Sequence, residues 1–340
     1  MSPEQNPPPA ATLMQLLGGS LVAQAISTAA HLKIADHLSG GDPKASADVA
    51  SAVSAHAPSL YRLMRALAMV GVLVEHEGER FTLTPVGECL RSDVPGSQRQ
   101  MAVMLGRPWR MAALGELTHC VQTGEPSFEK TLGAAIFDWF GKHPEEGAIF
   151  NDAMTSGSAP TADGVARAYD FSAFKRVADV GGGHGSLLAA ILRAHPATTG
   201  VLYDLPHVAE GAKALLDRAG VAGRCEVASG SFFEAVPAGC DAYVMKHIIH
   251  DWNDASCVRL LGLCRDAMGP EGKVLAVESV VPPPGVPSYA KLLDLQMLIS
   301  LGGKERTELE FADLFAQAGL KLTRVVPTPF RVSVIEAVRA

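Results

Sequence analysis

The chain has no surplus of basic residues. Its formal net charge is −7, which runs against the positive footprint of a nucleic-acid binder, so no nucleic-acid partner is expected. It also has no Cys-x-x-Cys pair. Cys89, Cys120, Cys225, Cys240, Cys257 and Cys264 are scattered and suggest neither a zinc site nor a disulfide framework. Such cysteine usage fits a reducing compartment, and a cytoplasmic location is expected. Uninterrupted apolar runs of about 18 residues are missing, so neither a transmembrane helix nor a membrane partner is expected. Met1 to Ala11 is Pro-rich and polar, without the basic start and apolar stretch of a signal peptide, and reads as a disordered tail. Internal repeats and long low-complexity segments are absent as well.

Hydrophobic residues make up 48% of the 340 positions, enough to build real cores. Two domains of about 100–200 residues are the natural division. Residues 12–100 read as helical with one small β element. Leu60, Leu63, Met64, Leu67 and Val70 form a helical stripe, and Val72–Val74 and Phe81–Leu83 flank a charged turn as a hairpin. Helix, helix, hairpin is the pattern of a winged helix. Residues 101–165 read as a helical linker and pocket region, broken at Gly106-Arg107-Pro108 and Gly124-Glu125-Pro126. Residues 166–340 alternate short β-branched runs with helices, as in an open parallel sheet. The expected strands are Arg176–Val180, Gly200–Tyr203, Cys225–Ala228, Ala242–Lys246 and Lys273–Val281. Lys321–Val326 and Arg331–Ala337 are expected as an antiparallel edge pair.

The first of these strands runs into Gly181-Gly182-Gly183-His184-Gly185 and then an apolar helix. Glycine lets a backbone approach a ligand without a Cβ clash, and a helix start leaves N–H groups unpaired. A dinucleotide loop needs Gly-x-Gly-x-x-Gly. Here the sixth position is Ser186 or Leu188 according to register, so a dehydrogenase reading fails. Gly181-x-Gly183-x-Gly185 fits a methyl-donor cofactor instead, although a tight turn without ligand has the same glycines. Asp204 ends the second strand, where an acid can accept from ribose hydroxyls; a cap or turn role stays open. Ser231 and Phe232 follow the third strand, where an adenine ring can stack or sit edge-on, and a core Phe232–Phe233 pair is the alternative.

Four ordered segments carry a specific resemblance: Val180-Gly181-Gly182-Gly183-His184-Gly185, Asp204-Leu205-Pro206, Lys246 to Asp254 (containing His250-Asp251-Trp252), and Gly302-Gly303-Lys304-Glu305-Arg306-Thr307. From about residue 12 to the C-terminus the chain resembles the small-molecule O-methyltransferases, the family of plant caffeate and flavonoid enzymes and bacterial antibiotic-tailoring enzymes. The resemblance implies a Rossmann-like α/β methyltransferase domain that binds S-adenosylmethionine, with a mostly parallel sheet and an antiparallel edge. It implies a winged-helix domain that forms a homodimer and lends residues to the partner's site. It implies His250 as general base flanked by Glu278 and Glu305, and cofactor contacts at Gly181, Asp204 and Lys246. Met154 matches a substrate-packing position, and Asn151 and Met297 stand with it as candidate substrate contacts. Ser231 departs from the family's usual Asp near the adenine amino group.

The chemistry suits these residues. A sulfonium is an activated methyl donor, so the protein supplies orientation and proton removal. A phenol near ~10 holds its proton against an ordinary histidine near ~6.5, a gap of about 3–4 units. Removing the proton during methyl transfer avoids the costly intermediate. His250 is expected on the loop before a helix capped by Asp254, at a strand's carboxyl end, where open α/β sheets bind ligands. His247 has no expected role, and Asp251 is either a turn-former or a neighbour of the base. No carboxylate cluster at metal-ligand spacing is evident around His250, so no metal is expected. The acceptor is expected to be a small hydroxylated molecule, which the family resemblance implies is aromatic. The competing readings are a relative performing hydroxylation or pericyclic chemistry, and a winged-helix regulator on DNA.

Overall fold

The computed structural model describes residues 8–340, with the backbone alone at 157–159. Most of the expected tail lies outside the described residues, but Pro9, Ala10 and Ala11 belong to a helix, Pro9–Leu17. Proline at its first position suits a helix start because its missing N–H is not needed there. The chain divides into two compact units, Met1–Met111 with Pro144–Gly157, and Ala112–His143 with Ser158–Ala340. The segment 101–165, expected as one region, is therefore shared between them.

The first unit packs helices Gly19–His31, Ser46–Ala52 and Ala57–Met69 around Ala30, Leu38, Leu60, Met64, Leu67 and Phe81. The expected hairpin is present as β2 (Leu73–His76) and β3 (Arg80–Leu83). A further strand, β1 (Lys44–Ala45), pairs with β3 to give the order β1-β3-β2. Two residues are too few to show a period, which is why pattern reading passes over it. The stretch Pro9–His31 has the length and mean hydropathy (1.3) of a membrane span. It qualifies by length and composition only, because scattered Gly, Ser, Thr and Gln interrupt the apolar run without making the stretch polar. Leu13, Leu16, Leu17 and Leu21 are exposed on it.

The second unit holds β4 (Arg176–Val180), β5 (Thr199–Asp204), β6 (Cys225–Ser229), β7 (Ala242–Lys246), β8 (Lys273–Glu278), β9 (Leu320–Pro327) and β10 (Ser333–Arg339). They form one sheet ordered β6-β5-β4-β7-β8-β10-β9. The first five strands in that order are parallel, and β10 is antiparallel to both neighbours. Every expected strand is present within a few residues. Alternation divides each strand between two cores. Val177, Leu202, Val244 and Leu275 face one layer, and Ala178, Val201, Tyr243, Met245 and Val274 the other.

The chain winds outward from β4 through β5 to β6, then returns to place β7 on the other side of β4. The crevice beyond the carboxyl ends of β4 and β7 is thus the switch point of the sheet, where α/β folds bind ligands. Both the glycine loop and the His250 loop leave the sheet there.

At the antiparallel edge, Glu336 on β10 accepts from Thr323 Oγ1 (2.7 Å), Arg324 Nη2 (2.9 Å), Lys273 Nζ (3.0 Å) and the Tyr169 hydroxyl. Burial alone would raise its carboxyl, but these donors hold it down at about 2. An unfolded Glu titrates near ~4.3, so the knot contributes its stability above that pH and loses it as pH falls toward about 2. Glu336→Gln is expected to cost about 2–3 kcal/mol at pH 7 in denaturant titrations, with the gap narrowing toward pH ~3. A gap independent of pH would refute the assignment.

Candidate functional site

The glycine loop follows β4 directly. Gly181, Gly183 and Gly185 all have positive φ (70°, 59° and 85°), a region that L side chains rarely adopt. A Cβ on Gly183 would point into open space. One on Gly181 would strike Ile248 and touch Phe232, so Phe232 and the loop after β7 border the glycine turn. Gly182 was not singled out in the sequence, yet its place is tightest: a Cβ would lie 2.4 Å from Leu202 and 2.6 Å from the Asp179 carboxyl carbon.

Asp204 braces this loop. Its Oδ2 accepts from Gly183 N (2.8 Å) and its Oδ1 from Leu205 N (2.7 Å), while burial raises its pKa. Beneath the loop lies Asp179, also missed in the sequence because it reads as an interior strand residue. It is buried, accepts from Leu188 N at 3.3 Å through Oδ2, and leaves Oδ1 without a partner. Burial lifts it to about 7, opposed by the charge of Lys246. The Lys246 ammonium is lowered by its own burial, against the pull of Asp179 and Glu278. Open glycine backbone above an orphaned buried carboxylate oxygen is a cradle that suits a polar, positively charged cofactor. Ser231 Oγ accepts from Phe233 N (3.3 Å), and its hydroxyl proton remains available to a ligand.

The second half of the site follows β7. His247 takes the left-handed conformation (φ 57°), which turns the chain out of the sheet. A non-glycine residue there costs about 1–2 kcal/mol. The 3₁₀ turn Ile249–Asp251 follows, and Asn253 caps the next helix by accepting from Ser256 N (2.9 Å). Sequence reading placed that cap one residue later. Asp254 is instead the first helical residue, paired with Arg306 and Lys304.

His250 is buried among three carboxylates. Its Nδ1 lies 2.7 Å from Glu305 Oε1 and 3.5 Å from Glu278 Oε2, and its Nε2 lies 3.3 Å from Asp251 Oδ1. Glu278 Oε1 accepts from Ile248 N (2.9 Å) and Ile249 N (2.8 Å), pinning the turn. Burial pushes an imidazole down, yet the charges of Glu278, Asp251 and Glu305 outweigh it and raise His250 to about 10. Burial lifts Glu278 to about 7 and Asp251 to about 6. The expectation that no carboxylates cluster around His250 is therefore overturned: His250, Glu278 and Glu305 present ligand atoms within 4.8 Å of one another. They come from distant parts of the chain, so spacing does not reveal the cluster, although the family resemblance named Glu278 and Glu305 as flanking acids. His247 sets its ring edge-to-face on His250, with centroids 5.0 Å apart.

An aromatic group adjoins this turn. Trp252 meets Phe233 (4.7 Å), Phe232 (6.1 Å) and Phe137 (6.4 Å). Met297 is buried on the helix Ala290–Ser300, which is tied to the site because Asp294 Oδ1 accepts from Glu305 N (2.9 Å). Met154 and Asn151 belong to the other unit, on the helix Pro144–Ala168, with Met154 exposed and Asn151 partly buried. The structure does not bring these two together with His250 within one unit.

Comparison with known proteins finds two family models: an O-methyltransferase domain over residues 114–321 and an O-methyltransferase dimerisation domain over residues 14–93. The chain is 43% identical to the phenazine O-methyltransferase PhzM of Lysobacter antibioticus, covering 97% of this chain and 96% of that protein. It is 39% identical to the 8-amino-8-demethylriboflavin N,N-dimethyltransferase of Streptomyces davaonensis, covering 93% and 91%. Among solved structures, the methyltransferase of calicheamicin biosynthesis in its SAH-bound form superposes with a TM-score of 0.87 at 36% identity, covering 97% of this chain and 98% of that one.

Proposed function

The chain belongs to the O-methyltransferase family that these models and relatives define, and from that premise we propose that it moves a methyl group from S-adenosylmethionine to a hydroxyl of a small aromatic acceptor, with His250 as the base. When bound, the cofactor supplies a methyl on an activated sulfonium. Gly181, Gly183, Gly185, Asp204, Ser231, Phe232 and Lys246 are the residues that hold it in this reading. The observation that carries the mechanism is the ion pair of His250 Nδ1 with Glu305 at 2.7 Å. In this reading the neutral imidazole keeps its proton on Nδ1, facing Glu305, so that Nε2, which lies 3.3 Å from Asp251 Oδ1, takes the one leaving the acceptor. The rings of Phe137, Trp252, Phe232 and Phe233 favour a flat aromatic acceptor, and Met297 of the same unit stands as a candidate contact to it.

One relative acts on an amine, so the transfer atom needs its own argument. An aromatic amine attacks with a free lone pair, whereas a neutral hydroxyl gains from proton removal as it attacks. A base raised to about 10 matches a phenol near ~10. Paired phenolic and arylamine acceptors with methyl-labelled S-adenosylmethionine test this. Label on the phenol, with S-adenosylhomocysteine formed in step, is the expected result. Label on the amine alone would overturn the hydroxyl reading, and acceptor turnover without label would favour hydroxylation or pericyclic chemistry. Activity is expected to survive exhaustive chelation. Loss that magnesium reverses would move proton removal from His250 to a metal held by the same carboxylates.

A homodimer is part of the same reading. Leu21 is 75% exposed and Leu16 73% in the single chain, within the segment matched by the dimerisation model. Such a stripe of leucines is costly in water, and obligate interfaces of this kind bury upwards of about 2,000 Å². Light scattering should give a dimer at micromolar concentration, and Leu17→Asp with Leu21→Asp should give a monomer. A monodisperse monomer from the unmodified chain would refute it.

A further inference from the structure

Arg306 is 1% exposed, the largest fully buried side chain of the described residues. Its guanidinium spans the turn that carries His250. Nη1 donates to Ile249 O (2.9 Å) and Lys304 O (3.2 Å), and Nη2 donates to Trp252 O (3.0 Å) and Asp254 Oδ1 (2.6 Å). Nε donates to the same Asp254 oxygen at 3.1 Å. The two loop carbonyls lie one on each side of His250 in the chain. Arg306 itself is fixed by a bridge to Val280, with Val281 N donating to Arg306 O at 2.9 Å. Its neighbour Glu305 bonds the imidazole. Adjacent side chains of bridged backbone leave on opposite sides, and here one reaches the His250 ring while the other reaches the backbone behind it. Gly303 completes the grip: a Cβ there would lie 2.0 Å from His250 O.

Burying a guanidinium is costly unless its donors are met, and an apolar side chain of similar volume would pack without that cost. What an apolar residue cannot do is fix several oxygens in one plane, which the rigid fork of arginine does. We infer that Arg306 is a positioning residue for the reaction: it holds the carbonyls of Ile249 and Trp252 and thereby sets the place and tilt of the His250 imidazole. The inference rests on His250 as base. Misplacing a reacting group by about 1 Å can cost about 10²-fold. The buried Cys257 thiol also reaches Ile249 O (3.2 Å) and Trp252 O (3.4 Å), but a single weak S–H donor cannot fix both carbonyls as the guanidinium fork does.

The test uses the full-length enzyme, a phenolic acceptor protonated at the assay pH and a nitro-substituted analogue ionised at that pH. Arg306→Lys keeps the charge and loses the fork. Its kcat on the protonated phenol should fall by about 10²-fold, with S-adenosylmethionine affinity by calorimetry unchanged. The loss should shrink at least about tenfold on the ionised analogue, because a displaced base costs nothing when no proton is left to remove. Asp254→Ala frees one edge of the guanidinium at a half-exposed position. It should show a smaller loss with the same dependence on the acceptor, and it decides the matter if Arg306→Lys does not fold. Equal losses on both acceptors overturn the positioning role. If His250→Gln also loses equally on both, the base assignment fails instead.

Discussion

His250→Gln is expected to cut turnover by about 10²–10⁴-fold, the span usual for a general base, while binding of S-adenosylmethionine survives. The glycine loop and Asp204 leave the sheet after β4 and β5, whereas His250 leaves it after β7, so one task can fail without the other. The defect should shrink for acceptors that arrive ionised. The pH profile carries the sharper signature. An ordinary histidine base gives a rate that levels above ~7. Here the carboxylates of Glu278, Asp251 and Glu305, outweighing burial, raise His250 to about 10. Its proton-accepting form therefore grows as pH rises, and kcat/KM should climb through neutral and mildly alkaline pH. Glu305→Gln removes the carboxylate nearest Nδ1, lowers the imidazole pKa and should move that climb to lower pH. Near-normal turnover of His250→Gln on a weakly acidic phenol at neutral pH would end the assignment, whereas a wild-type profile already flat at pH 7 would refute only the raised pKa.

Asp204→Ala is expected to weaken S-adenosylmethionine binding by at least about tenfold, since a hydrogen bond to a charged group contributes roughly 1.5–3 kcal/mol. The geometry enlarges the expected effect. Sequence position suggested a ribose acceptor, and the structure adds that the same carboxylate accepts from Gly183 N and Leu205 N. Its removal loosens the cradle as well as deleting a ligand contact. Asp204→Asn, which keeps one acceptor oxygen, should lose less. Because burial raises the Asp204 pKa, affinity should fall on acidification sooner than for an exposed aspartate: the protonated acid cannot accept through both oxygens. Calorimetry across pH measures both effects, and an unchanged dissociation constant in the alanine variant rejects the role.

The parts of this site that the sequence shows are those built by local rules. Strand, glycine turn and helix are adjacent in the chain, and positive φ at Gly181, Gly183 and Gly185 is a demand that only glycine meets without strain. Short β-branched runs alternating with helices state a parallel sheet directly, and β4, β5, β7 and β8 are buried along nearly their whole length, as strands covered on both faces are. His250 stood out through its motif. The cap of the following helix moved by one residue, from Asp254 to Asn253, because both are good capping residues and only the backbone turn selects between them.

Sequence alone thus determined the fold class and the glycine turn and singled out His250 as the candidate base, because the strands, the turn and the motif are each written in contiguous residues. The resemblance named Glu278 and Glu305 beside His250, and tertiary structure alone decided which ring nitrogen each carboxylate faces and at what distance. Pairing of β7 with β8 in the register Lys246 to Val277 brings Glu278 level with the turn, and Glu305 reaches His250 across 55 residues. The same return of the chain sets Arg306 behind the turn. These contacts depend on which strands pair and where the chain crosses back, and no local pattern records that. Asp179 was hidden for the converse reason: a strand interior leads one to expect an apolar residue, and only the loop folded above it shows why a carboxylate is buried there.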